Sequence, residues 1–100
     1  MLKHMIMWQL KDEFSEEEKR EIKKEMKKGL EGLAGQIPGL LEIHVQIEGL
    51  ETSNVDALLD SAFTDKEALA VYASHPKHVE VADSKIRPFT KTRMCMDYEG

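Results

Sequence analysis

The chain is poor in the residues that would cross-link it or divide it. It has one cysteine, Cys95, so an intramolecular disulfide framework is excluded and the composition fits a reducing compartment. Cys95 lies in an apolar strand pattern, which predicts core packing rather than nucleophilic chemistry. Three prolines and six glycines among 100 residues leave no linker that could separate domains. With no internal repeat or low-complexity tract, residues 1–100 read as one domain. Positive charge is also short. Lys and Arg number 14 against 19 Asp and Glu, a net charge of −5, the reverse of the basic face that nucleic-acid binding needs. Lys23, Lys24, Lys27 and Lys28 do cluster, but acidic residues precede them and no aromatic is interleaved. They read as a solvated helix face. No run reaches membrane-spanning length. The apolar opening from Met1 to Trp8 is too short for a signal peptide's hydrophobic region and carries Lys3 and His4, so a cytoplasmic location is expected. No Gly-rich loop of the phosphate-cradling kind occurs.

What the chain does contain is patterned. With 41% hydrophobic and 33% charged residues it has the make-up of a globular domain. Residues 2–10 alternate as a strand with two large-residue sets, His4/Ile6/Trp8/Leu10 and Lys3/Met5/Met7/Gln9, so both faces need cover. Ser15 and Glu18 form a capping box, Glu16 to Glu18 sit at the positive end of the helix dipole, and Ile22, Met26, Leu30 and Leu33 make one apolar stripe. Pro38-Gly39 stops that helix. A second strand is expected over residues 40–48, with Leu41, Ile43, Val45 and Ile47 inward and His44 on the polar, exposed face; a third is expected over 55–63. Thr64 and Glu67 read as a second capping box, opening a helix to Ser74. Pro76 suits the first turn of a further helix ending near Arg87, before a last strand over 91–98.

The order βαββαβ is that of a ferredoxin-like α+β protomer with a four-stranded antiparallel sheet. Its first and third strands should be central, and these are the two with apolar residues on both faces. Two helices cover only one face of such a sheet. Met5, Met7 and Leu58 would then remain on the other face, and a second copy packed sheet against sheet is the economical cover. A homodimer follows.

Between two of these elements lies Tyr72-Ala73-Ser74-His75-Pro76-Lys77-His78, which brings two imidazoles and a phenol around a helix-breaking proline. Four further matches accompany it in order: Lys3 to Asp12 at the start, Ile37-Pro38-Gly39, Phe63-Thr64-Asp65, and Asp97-Tyr98 at the end. On these residues the chain resembles the stress-responsive dimeric A/B barrel family over essentially its whole length. The resemblance implies a ferredoxin-like protomer whose sheet pairs with a second to make a dimeric α+β barrel. It also implies small-molecule binding or a stress-associated role. One plant branch of the family catalyses an intramolecular aldol-type cyclisation of a polyketide between sheet and helices. Its pocket histidine and tyrosine match His78 and Tyr72, and its first-strand histidine matches His4. Where that branch has a further histidine, this chain has Ala57, so the cyclase's substrate does not carry over.

A His–Tyr pair is a workable acid/base unit. An imidazole of pKa about 6.5 accepts a proton at neutral pH, and a phenol donates a hydrogen bond to a carbonyl oxygen gaining enolate character. Tyr72 and His78 can meet only if the chain bends at His75-Pro76. Ile6, Trp8 and Leu69 would line a pocket suited to an apolar or aromatic ligand. His4 fits either a ligand contact or a satisfied buried histidine, and His75 either a ligand contact or a helix cap. Tyr72 and His78 fit catalysis or plain structure. His75 and His78 have H-x-x-H spacing, but no cysteine or carboxylate stands at ligand spacing, so no metal site is expected, and no cofactor. The leading expectation is a homodimer binding a small apolar or aromatic molecule. The alternatives are a lyase or polyketide-cyclase-like enzyme with His78 as base and Tyr72 as donor, a cofactor-free monooxygenase of similar barrel shape, and a purely structural stress protein.

Overall fold

Alternation along the first strand decides how the molecule is layered. In the computed structural model, which describes residues 1–100, β1 spans Leu2–Leu10. Leu2, His4, Ile6, Trp8 and Leu10 are buried under the helices, while Met7 on the other face is 40% exposed. After β1 come α1 (Glu16–Glu31), β2 (Leu40–Gln46), β3 (Ala57–Phe63), α2 (Lys66–Ser74), α3 (Pro76–Val81), a π-helical turn (Ala82–Ile86) and β4 (Thr90–Glu99). The antiparallel sheet has the order β2-β3-β1-β4, with β1 and β3 central as expected. This is the ferredoxin-like α+β arrangement.

The capping box of α1 forms in full. The Glu18 N–H donates to Ser15 Oγ at 3.1 Å, and the Ser15 N–H donates to Glu18 Oε1 at 2.8 Å, satisfying two orphan donors at the helix start. Met26 and Leu30 carry the buried stripe, and Leu33 follows them into the core beyond the helix end. Further along α1, Glu31 Oε2 accepts the Val45 N–H at 2.9 Å and Lys27 Nζ donates to the Val45 carbonyl at 2.7 Å. The outer edge of β2 is thus partly satisfied by side chains, which blunts it as a pairing template.

Four local expectations are corrected. Leu41 is 55% exposed and Leu40 takes the core position, because the β2–β3 register slips between Leu40 and Glu42 and the alternation changes phase there. Asp65, not Thr64, caps α2, its carboxylate accepting the Ala68 N–H at 2.8 Å. The last helix does not run regularly to Arg87: α3 ends at Val81, and the π turn closes with the Arg87 N–H on the Ala82 carbonyl. Cys95 is exposed rather than packed in the core. It does lie on the helix-side face, but α1 rests on β2 and α2 on β2 and β3, leaving the inner face of β4 with little above it.

The opposite sheet face is apolar and open. Met94 and Met96 are 62% and 69% exposed, and they pair across β1 with Met7 and Met5. Leu58 pairs with Met7 from the other side, and Tyr98 adds a further exposed ring. This continuous patch is larger than the sequence-level set, since β4 contributes half of it.

Candidate functional site: a cavity between the helices and the sheet

The site starts from a break in the helix layer. A residue before proline is pushed out of the α region, and His75 accordingly has φ −64° and ψ 131°. It ends α2 and caps α3, its Nδ1 accepting the Lys77 N–H at 3.1 Å, with Pro76 at the first helical position. The bend places Tyr72, from the last turns of α2, against His78 of α3. Their ring centroids are 4.1 Å apart with the planes tilted by 37°. His78 Nδ1 lies 3.2 Å from the Ala73 carbonyl oxygen. In the neutral ring Nδ1–H therefore donates there and Nε2 is the acceptor.

Tyr72 is the anchor of the site. It is 1% exposed, packed edge-on to Phe63 at 4.9 Å and to His4 at 6.2 Å. Its hydroxyl is buried and has no hydrogen-bond partner. Burial pushes the phenol far above its ordinary pKa, so Tyr72 is a donor at every physiological pH.

Strand register supplies the remaining polar groups. β4 runs antiparallel to β1 with Asp97 opposite His4, Cys95 opposite Ile6 and Arg93 opposite Trp8. His4 Nδ1–H donates to Asp97 Oδ1 at 2.5 Å, which fixes the orientation of the imidazole and turns Nε2 away from the carboxylate. The Cys95 thiol donates to Asp97 at 3.6 Å and lies 3.8 Å from His4 Nδ1. Burial, and then the Asp97 carboxylate, push that thiol up, so it is a neutral thiol at pH 7 and a poor nucleophile. These three side chains have ligand atoms within 4.8 Å of one another and are the set that could hold a metal ion. Two N/O ligands on tetrahedral zinc stand about 3.3 Å apart, whereas His4 and Asp97 approach to 2.5 Å. As it stands, the trio has hydrogen-bond geometry.

All of this surrounds one cavity of about 520 Å³. His4, Ile6, Trp8, Leu69, Tyr72 and His78 line it, whereas His75 faces its own helix cap instead. The wall is mostly apolar, with contributions from Leu30, Leu59 and Ile86. Sequence reasoning missed Asp97, Cys95, Arg93, Arg87 and Lys66, which also line it. The alternation of Arg93, Cys95 and Asp97 against Met94, Met96 and Tyr98 did mark one polar face of β4; which partners that face meets is a matter of register. For His78, burial lowers the pKa and the positive charge of Arg87 adds to this, while the Ala73 hydrogen bond works the other way. His78 is therefore neutral, a base rather than an acid, at pH 7.

The sequence matches the stress responsive A/B barrel domain over residues 2–100, and the chain belongs to that family. Among curated proteins none matches it. Its fold is similar to that of a dimeric protein of unknown function from Bacteroides fragilis, 27% identical, covering 99% of this chain and 95% of that one with a TM-score of 0.92. A protein from Arabidopsis thaliana is 26% identical over 100% of this chain and 95% of its own, with a TM-score of 0.74. The hydroxynitrile lyase of Passiflora edulis shares the fold alone, at 14% identity and a TM-score of 0.71, covering 97% and 90% of the two chains.

Proposed function

We propose that this A/B barrel protein binds a small, predominantly apolar or aromatic molecule in the cavity between sheet and helices, acting as a homodimer closed over its open sheet faces. The observation that carries the reading is an apolar cavity of about 520 Å³ with an unpartnered Tyr72 hydroxyl buried beside it. That volume lies within the range of small-molecule sites, and a buried hydroxyl left without a partner is costly unless something supplies one. The exposed methionines of β1 and β4 support the dimer, as does the dimeric Bacteroides fragilis protein. The proposal needs no cofactor, nucleic acid or membrane. Trp8 is the sole tryptophan and lines the cavity, so its fluorescence reads occupancy directly. Titration with small aromatic probes, paired with native mass spectrometry, should give saturable quenching and up to one adduct per protomer. Linear, unsaturable quenching across a broad panel would defeat the proposal.

A second reading, a lyase or cyclase, is favoured by one specific contact: a neutral His78 stacked on the protonated Tyr72. In it His78 takes a proton from carbon or oxygen of the substrate, and Tyr72 donates to the carbonyl oxygen as negative charge develops. The fold of the Passiflora edulis lyase makes such chemistry admissible without assigning it. His78→Ala should then abolish turnover while the dimer and its melting temperature persist. A variant that fails to fold makes His78 structural and removes this reading's main support. Oxygen uptake with phenolic substrates would point instead to monooxygenase chemistry.

A further inference from the structure

We infer that the ligand of this cavity is an organic anion, its acidic head held at the mouth by Lys66, Arg93 and Arg87 and its apolar body lying against Ile6, Trp8 and Leu69. This rests on the binding reading above and narrows it to a chemical class. The chain as a whole is acidic, with 19 acidic against 14 basic residues, yet the cavity lining inverts the balance. Three cations line it, and the one carboxylate there, Asp97, is already engaged by His4.

The three cations come from separate elements. Lys66 opens α2, Arg87 follows the π turn, and Arg93 is carried by β4 opposite Trp8. Elsewhere Lys3, Lys24, Lys27, Lys85 and Lys91 each find a carboxylate, while others such as Lys23 and Lys28 do not. Arg87 is paired with Asp83, but Lys66 and Arg93 form no ion pair. Unpaired cations at the mouth of an apolar cavity suit an amphipathic acid, because a nearby low-dielectric wall strengthens the attraction that water otherwise screens. A neutral ligand would make no use of them, and a polyphosphate would waste the apolar wall.

The test compares isosteric pairs on the whole dimer by Trp8 fluorescence: octanoate with octanol, and hydrocinnamate with hydrocinnamyl alcohol. In at least one pair the anion should bind about tenfold tighter at low salt, and the gap should narrow as salt rises. The double variant Lys66→Glu/Arg93→Glu should close the gap by weakening the anion rather than by improving the alcohol. Both positions are exposed, so folding is checked by an unchanged melting curve. An alcohol that binds as well as its acid, or a gap that survives charge reversal, overturns the inference while leaving the cavity as a binding site. If neither member of either pair saturates, the anion inference is overturned, and the broad panel of aromatic probes then decides the binding reading.

Discussion

Replacing Tyr72 by phenylalanine should stabilise this protein, the reverse of what removing a buried tyrosine's hydroxyl usually does. The ring would keep its contacts with Phe63 at 4.9 Å and His78 at 4.1 Å, so the change deletes one oxygen and little packing. That oxygen is buried and has no partner. A hydroxyl taken from water without a compensating hydrogen bond costs about 1–3 kcal/mol. Part of this returns as lost contact around the vacated oxygen, so the net gain should be about 1 kcal/mol. For a domain of this size that is a rise in Tm of about 4–8 °C. Urea unfolding and calorimetry would measure it, at matched protomer concentration because a dimer's Tm depends on concentration. The urea slope should not change, since the surface exposed on unfolding is the same. A Tyr72→Phe protein less stable than the parent by about 1 kcal/mol would refute the reasoning. It would mean that an ordered water or a ring nitrogen of His4 or His78 already satisfies the hydroxyl. A stabilising loss, by contrast, is what a group held unsatisfied for a ligand should give.

Three other outcomes are expected. Met96→Glu puts a charge on the open methionine face, 69% exposed in the protomer, and should convert the proposed dimer to monomer in sedimentation velocity; an unchanged dimer would place the interface elsewhere. Burial, foremost, depresses the His78 pKa from its usual 6.5, so below that pH the unfolded chain binds a proton that the folded chain still excludes. Its contribution is present above about pH 6.5 and is lost as the pH falls through the depressed folded pKa; His78→Gln should flatten the stability curve on that acidic side, and parallel curves would remove His78 as the cause. Gly39 has φ +84°, and a Cβ there would stand 2.4 Å from that of Ala68, so Gly39→Ala should cost about 2–4 kcal/mol in urea unfolding; a cost below about 1 kcal/mol would show that α2 gives way easily.

What could be read from the sequence was whatever is decided within a few residues. The Ser15/Glu18 box and the faces of β1 depend on spacing of two to four, and they form as expected. So does the bend at His75-Pro76, which follows from sterics at a single peptide unit. Leu41 was misplaced because the register slips between Leu40 and Glu42, so the alternation that holds from Ile43 onward does not extend back to Leu41, and no residue type in Leu40-Leu41-Glu42 announces the slip. Cys95 was misplaced for a different reason. Its place in an apolar strand pattern suggested core packing, but whether a helix lies above its face of β4 is a tertiary fact. Asp97 escaped notice as a partner of His4 because 93 residues separate them, and only the pairing of β1 with β4 makes them neighbours.

The cavity itself follows from where the helix layer is drawn. A Cβ on Gly29 would come within 2.9 Å of Val81 Cγ1, so glycine in α1 is what lets α3 approach that closely. Held against α1 and α2, α3 does not pack down onto β4. The inner face of β4 then keeps polar and charged side chains, which a covering helix would have made too costly to bury. The same displacement explains two features at once: the apolar space in front of Trp8 and Leu69, and the presence of Arg93 and Asp97 at its margin. A bulkier residue at position 29 should push α3 toward that space, so binding would be sensitive to a residue that touches no ligand.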